Sequence, residues 1–345
     1  MITPVGEQMA REIAEQPPAL SRLLHDTAQV REVARRIREA RPRFVVLAAR
    51  GTSDHAALYA KYLIEISLGL PVGLASPSTL TVYGARPHLN DVLWVAVSQS
   101  GGSPDLVRST ETARACGALT VAVTNAPDSP LAAAAELGVD VLAGPERAVA
   151  ATKTYTSQLL ALWLLVDHWR GGDGRTAAGL PDHVGSALDT PGIDGLASRL
   201  RFAPSLICTA RGYSYPTARE AALKLMETSY VAAQAFSGAD LLHGPLALVD
   251  ADRPVLAVVG PGDGGRAMAP TLERLAAQRA ELTVIGDPAG VPDVHTVVPL
   301  PADIPEELSP IVEIVPLQRL AHRLAVTRQH DPDAPRGLAK VTSTI

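Results

Sequence analysis

Three charged residues, Glu220, Lys224 and Glu227, fall on one face of a predicted helix. Spacings of four and three residues bring such side chains together. A surface ion-pair ladder uses the same spacing. Here the neighbours are apolar, Ala221-Ala222-Leu223, Leu225-Met226 and Tyr230 to Ala233. Charges set in such a run are expected to be partly buried, the setting in which acid–base groups are tuned. Further on, the loop-like stretch Phe236–Pro245 ends in a His-Gly-Pro turn. His243 can reach into a cleft from there, or serve the turn alone. Near the C-terminus Lys340 stands by itself, and a lone tail lysine is ordinarily solvated.

A second kind of chemistry is anion binding. Ser98-Gln99-Ser100-Gly101-Gly102-Ser103-Pro104-Asp105 follows a predicted strand. Ser103 suits an N-cap and Pro104 the first helical position, so a helix should start there and stop near Cys116-Gly117. A helix N-terminus with hydroxyls, an amide and close-approaching glycines suits a phosphate. A capped helix after a turn would read the same. Gly51-Thr52-Ser53-Asp54-His55 repeats the design ahead of a helix expected over Ala56–Leu68. Gly260-Pro261-Gly262-Asp263-Gly264-Gly265 matches G-x-G-x-x-G in form. Pro261 removes a donor and Asp263 adds charge where a pyrophosphate would sit, so no dinucleotide is expected. No cluster has metal-ligand spacing, and no nucleophile elbow is present.

The elements that carry these loops repeat. Arg43–Ala48 leads into Ala49-Arg50-Gly51-Thr52-Ser53, and Ser205–Thr209 leads into Ala210-Arg211-Gly212-Tyr213-Ser214. Arg50 and Arg211 stand 161 residues apart. Val92–Val97 pairs with Pro254–Val259, Leu119–Val121 with Leu282–Val284, and Val139–Leu142 with Thr296–Leu300, at nearly the same step. A long helix ends each half, Thr154–Trp169 and Leu317–Arg328. Alternating strands and helices imply parallel sheets. The expected organisation is a helical arm (1–25), two doubly wound domains (26–170 and 193–330), a linker (171–192) and a tail (331–345).

Composition agrees with two folded domains. The 345 residues are 47% hydrophobic and 4% aromatic, so aliphatic side chains must fill the cores. A net charge of −5 and few aromatic platforms speak against nucleic acid. Cys116 and Cys208 form no C-x-x-C pair, and the longest apolar run, Leu159–Val166, is too short for a membrane. With charges where a signal peptide has its apolar core, a soluble cytoplasmic protein is expected.

Together these motifs resemble the sugar-isomerase (SIS) family, in particular the isomerase half of glucosamine-6-phosphate synthase. The segments that carry the resemblance are Met9–Pro17, Arg50–Glu65, Ser98–Ser103, Gly144–Gln158, Arg211–Pro245 and Leu338–Val341. Gly51–Ala56, Ser98–Asp105, Ala148–Lys153 and Ala235–Pro245 look more like the stand-alone SIS-type glucosamine-6-phosphate deaminases. Ala151 and Met226 depart from the synthase pattern of serine and lysine. The resemblance implies two tandem flavodoxin-like SIS domains acting on an amino-sugar phosphate without a cofactor. It implies substrate contacts at Gly51, Thr52, Ser53, Ser98, Gln99, Ser100, Ser103, Val149 and Ala339. It further implies Glu227 as proton carrier, with Lys224 beside it, and Lys340 engaging the open-chain sugar. His243 would assist ring opening from the partner subunit of a homodimer. The implied reaction converts glucosamine 6-phosphate and water into fructose 6-phosphate and ammonia. Other amino-sugar phosphates, a deglycating reaction, a glutaminase-less synthase and a sugar-phosphate-sensing regulator remain open.

Overall fold

A computed structural model describes residues 5–288, 290–291 and 293–340. The chain divides into two compact units. The first holds Pro18–Glu146 and Lys153–Ala178, with the chain from Ala339; the second holds the N-terminal residues to Pro17, Arg147–Thr152 and Gly179–Leu338.

The first unit is built on five parallel strands: β1 (Phe44–Ala48), β2 (Val72–Leu74), β3 (Val92–Ser98), β4 (Leu119–Thr124) and β5 (Leu137–Asp140). Their order is β2-β1-β3-β4-β5. The central strands β3 and β4 are buried almost throughout. That is why they read as unbroken apolar runs, as strands covered on both faces do. The helix Lys153–Trp169 is buried at every position. A helix apolar all round belongs inside a core, and the run Leu159–Val166 fills this one. No helix among the described residues is long and apolar enough to cross a membrane.

The second unit repeats the plan with β6 (Ser205–Ala210), β7 (Ala232–Ser237), β8 (Val255–Val259), β9 (Leu282–Gly286) and β10 (Thr296–Val298). Its order, read from the other edge, is β7-β6-β8-β9-β10. Renumbered within each unit, both sheets run 2-1-3-4-5, the flavodoxin-like arrangement. The duplication expected from strand spacing is therefore a duplication of topology.

Several expectations are corrected. Strands β2 and β7 were not foreseen. Both are edge strands with mixed burial, so neither carries a diagnostic apolar run. The last long helix starts at Ser309, not Leu317, and passes through Pro316. A mid-helix proline costs about 3 kcal/mol. Burial of nearly every side chain from Ser309 to Leu320 outweighs it. The expected linker 171–192 folds into a short 3-10 turn and the helix Leu180–Leu188. The arm divides, because helix Glu7–Ala14 belongs to the second unit and nearly all of Gln16–His25 to the first.

Candidate functional site

In the first unit the strand order reverses between β1 and β3, where doubly wound sheets bind ligands beyond their strand ends. The loops after these two strands are the two hydroxyl-rich loops. After β1, Gly51 takes a positive φ of 55°, and the helix begins at Thr52 rather than Ala56. Thr52 thus opens the first turn. Ser53 is buried and accepts a 3.0 Å bond from the Gln158 amide, so its hydroxyl braces the core. His55 is buried too.

After β3, the loop folds on itself. Ser98 Oγ accepts from the Gly101 N–H at 3.1 Å and Ser100 Oγ from the Gly102 N–H at 3.3 Å. Gly101 has φ 60°, and a Cβ there would stand 2.0 Å from Ser129 Oγ. Only glycine fits both conditions. Ser103 is the N-cap of helix Pro104–Ala115 as expected, yet its side chain makes no capping bond. Gln99 and Ser103 are half-buried at the same helix start. One residue pair here escaped the sequence reading: Arg50 donates to the buried Asp105 at 2.8 and 2.9 Å. This ion pair ties the loop after β1 to the helix after β3. The arginine of the A-R-G-x-S repeat was its only trace.

Lys340 is largely withdrawn from solvent, its side chain 23% exposed. Its ammonium lies 2.9 Å from Glu146 Oε2, a fully buried carboxylate. Glu146 Oε1 accepts from the Thr154 N–H at 3.0 Å, near the start of helix Lys153–Trp169. Glu146 was not singled out from sequence, because its partners lie 8 and 194 residues away. Ala339 beside Lys340 is exposed.

In the second unit, helix Tyr215–Ser229 carries the charged column. Glu220 and Lys224 are fully buried. The Lys224 ammonium lies 3.4 Å from Glu220 Oε1 and bonds the Glu227 carboxylate closely. The Glu227 side chain is 22% exposed against 1% for Lys224. The column thus runs from the core to a carboxylate that reaches solvent, not along the surface. Val149 is half-buried in the same unit, in the segment whose Arg147 and Ala148 N–H groups bond the buried Glu12. His243 follows helix Gly238–Leu242 and is exposed, with Gly244 beyond it at φ 122°.

The second unit's own reversal point, between β6 and β8, is already filled. Glu306 accepts from the Asp263 N–H at 3.0 Å and the Gly264 N–H at 2.8 Å. Glu313 is buried among the hydroxyls of Ser214, Thr217 and Ser309, at 2.8, 3.1 and 2.7 Å. A Cβ on Gly262 would meet Glu306 at 2.0 Å, and one on Gly260 would meet Glu313 at 2.4 Å. The glycines of the G-x-G-x-x-G match admit the protein's own carboxylates.

These features define a class: tandem flavodoxin-like domains, one with a hydroxyl-rich loop at its strand reversal and one with that place taken by glutamates. The chain belongs to the SIS domain family, whose profile matches residues 37–167 and 199–292. It is 36% identical over 342 residues to a glutamine–fructose-6-phosphate aminotransferase (isomerizing) of Pyrococcus horikoshii. That match covers 96% of this chain and 57% of the relative, so the chain spans little more than half of its length. A candidate phosphosugar isomerase of Silicibacter pomeroyi is 38% identical, with a TM-score of 0.87 over 94% of this chain and 99% of the other. A glucosamine-6-phosphate deaminase structure from Thermotoga maritima shares the fold, with 19% identity and a TM-score of 0.75 over 98% of this chain and all of that one.

Proposed function

We propose that this chain is an SIS-family enzyme that isomerises and deaminates glucosamine 6-phosphate, releasing ammonia and fructose 6-phosphate. The observation that carries the reading is Glu227, held by a buried lysine at the open end of a buried column. A 1,2-shift needs one base able to move a proton between neighbouring carbons on one face. A carboxylate whose rotamer is fixed by Lys224 suits that task.

In the proposed mechanism the phosphate rests on Thr52, Ser98, Gln99, Ser100 and Ser103, with Gly51 and Ser53 shaping the loop after β1. Remote binding energy of this kind positions the reacting carbons. Val149 and Ala339 contact the sugar. His243, contributed by the partner subunit of a homodimer, shuttles the ring-opening proton, as suits an imidazole near neutral pH. Lys340 engages the open-chain sugar. Water then hydrolyses the C2 imine or carbinolamine to release ammonia. The enzyme works in the cytoplasm on a small molecule, without a cofactor.

Met226, in place of the lysine of the synthase pattern, speaks against the synthase reaction, while Ala151 removes one hydroxyl near the sugar. The relatives named as aminotransferases favour a second reading, fructose 6-phosphate amination with ammonia supplied from elsewhere. Ammonia release from a panel of amino-sugar phosphates, run beside the reverse reaction, separates them. Turnover of another amino-sugar phosphate but not glucosamine 6-phosphate sinks the substrate assignment. The shared site has its own test. Inactive His243→Ala and Glu227→Gln chains, mixed in equal amounts and reassembled, should regain about a quarter of wild-type activity. Mixed dimers as inactive as their parents would place His243 in its own subunit's site or outside the chemistry.

A further inference from the structure

Three helices of the second unit, Ile193–Leu200, Tyr215–Ser229 and Ser309–Thr327, end around one cavity of about 460 Å³. Their C-caps, Arg201, Tyr230 and Arg328, all line it, as do Phe202, His330 and Arg336. Helix C-termini carry roughly half a negative charge each. Arg328 answers them directly, donating to the carbonyls of Arg201, Ser229 and Ala203 at 2.9, 2.7 and 3.0 Å. That one guanidinium serves the ends of two of the three helices, Ile193–Leu200 and Tyr215–Ser229.

Two further guanidinium groups are left over. The Arg336 guanidinium lies 4.2 Å above the Tyr230 ring, while the Arg336 backbone N–H donates to the Tyr230 hydroxyl at 2.9 Å. Arg201 lies 4.4 Å above the Phe202 ring. Both residues line the cavity, and stacking on a ring face holds a guanidinium flat while its N–H edge stays available to a partner. No acidic residue lines the cavity. Among the described residues, none of the three arginines forms an ion pair. Three positive charges against about one and a half negative ones leave a surplus of roughly one and a half. The neighbouring imidazole registers it. His330 is held below the ordinary histidine range by burial, then by Arg328 and Arg336.

We propose that this cavity is a second anion site, separate from the Ser98 loop, which binds a phosphate group between the free edges of Arg201 and Arg336. Guanidinium forks match phosphate oxygens in geometry and charge. The group can belong to inorganic phosphate or to a phosphorylated metabolite. Phe202, 79% exposed, offers an apolar face to a planar substituent of the latter.

The test follows the His330 imidazole by NMR in the full chain, its signal assigned by His330→Asn. Inorganic phosphate and a nucleoside monophosphate are added in separate arms at constant ionic strength. Either anion should move the His330 titration to higher pH, because it offsets the arginines that now hold it down. The double variant Arg201→Ala/Arg336→Ala should weaken the response at least tenfold, and a double Lys replacement should restore part of it. Nucleotide binding weakened several-fold by Phe202→Ala identifies a ring-bearing ligand, whereas equal response to both anions identifies phosphate alone. A His330 titration unmoved by either anion, or moved equally in the double Ala variant, overturns the proposal. The Ser98 loop does not confuse the result, since the signal read belongs to this cavity.

Discussion

At the scale of single residues, two glutamates test opposite uses of burial. Glu227→Gln keeps shape and hydrogen bonding to Lys224 but cannot carry a proton. Turnover should fall by about 10²–10⁴-fold while sugar-phosphate binding is kept. Near-normal rates would remove Glu227 from the proton path. Glu313 is the structural contrast. Burial pushes its carboxyl above the ordinary 4.5, the hydroxyls of Ser309, Ser214 and Thr217 pull it partly back, and Glu306 pushes it up again. A raised folded-state value means that the native protein holds the extra proton. The stability this contributes is complete below about pH 4.5 and is lost as pH rises through the folded value. Glu313→Gln, neutral throughout, should therefore show a flatter Tm–pH curve and a higher Tm than the native protein above that window. Parallel curves for the two proteins would show that Glu313 pays no such penalty.

At the scale of elements, the Ser98–Ser103 loop, the proposed phosphate cradle, depends on its backbone. Gly101→Ala places a methyl against Ser129 and forces a left-handed residue, a cost of roughly 1–2 kcal/mol. The Ser98 and Ser100 hydroxyls should lose their loop partners, raising KM for the sugar phosphate about tenfold or more with a folded protein by circular dichroism. Unchanged KM would mean that the phosphate does not rest on this loop. This element was legible in sequence because everything that shapes it is local: strand, glycines, N-cap and proline in eight residues. The same locality made β3, β4, β8 and β9 readable as apolar runs. Edge strands β2 and β7 carry no such run, and β7 lay hidden in a stretch that reads as helix and loop. The glycine loop after β8 was legible only as a pattern. What fills it, Glu306, comes from 42 and 43 residues away, and no local spacing announces that.

At the scale of the molecule, duplication produced two similar units with different contents. One keeps an open loop and receives the tail lysine; the other closes its loop with glutamates and carries Glu227. The tail is where structure and chemistry must be separated. Lys340 both pairs the fully buried Glu146 and, in the proposed mechanism, engages the open-chain sugar. Lys340→Met should fail on both counts. It leaves a buried carboxylate without its ammonium, at roughly 1–3 kcal/mol, so Tm should drop by several degrees and turnover collapse. Lys340→Arg separates the roles. A guanidinium can restore the ion pair to Glu146, but its broad planar fork does not reproduce the compact ammonium that engages the open-chain sugar. Its Tm should return toward wild type while turnover stays at least a hundredfold down. Wild-type turnover in the arginine variant would reduce Lys340 to the partner of Glu146, and the tail to a clasp with no part in the reaction.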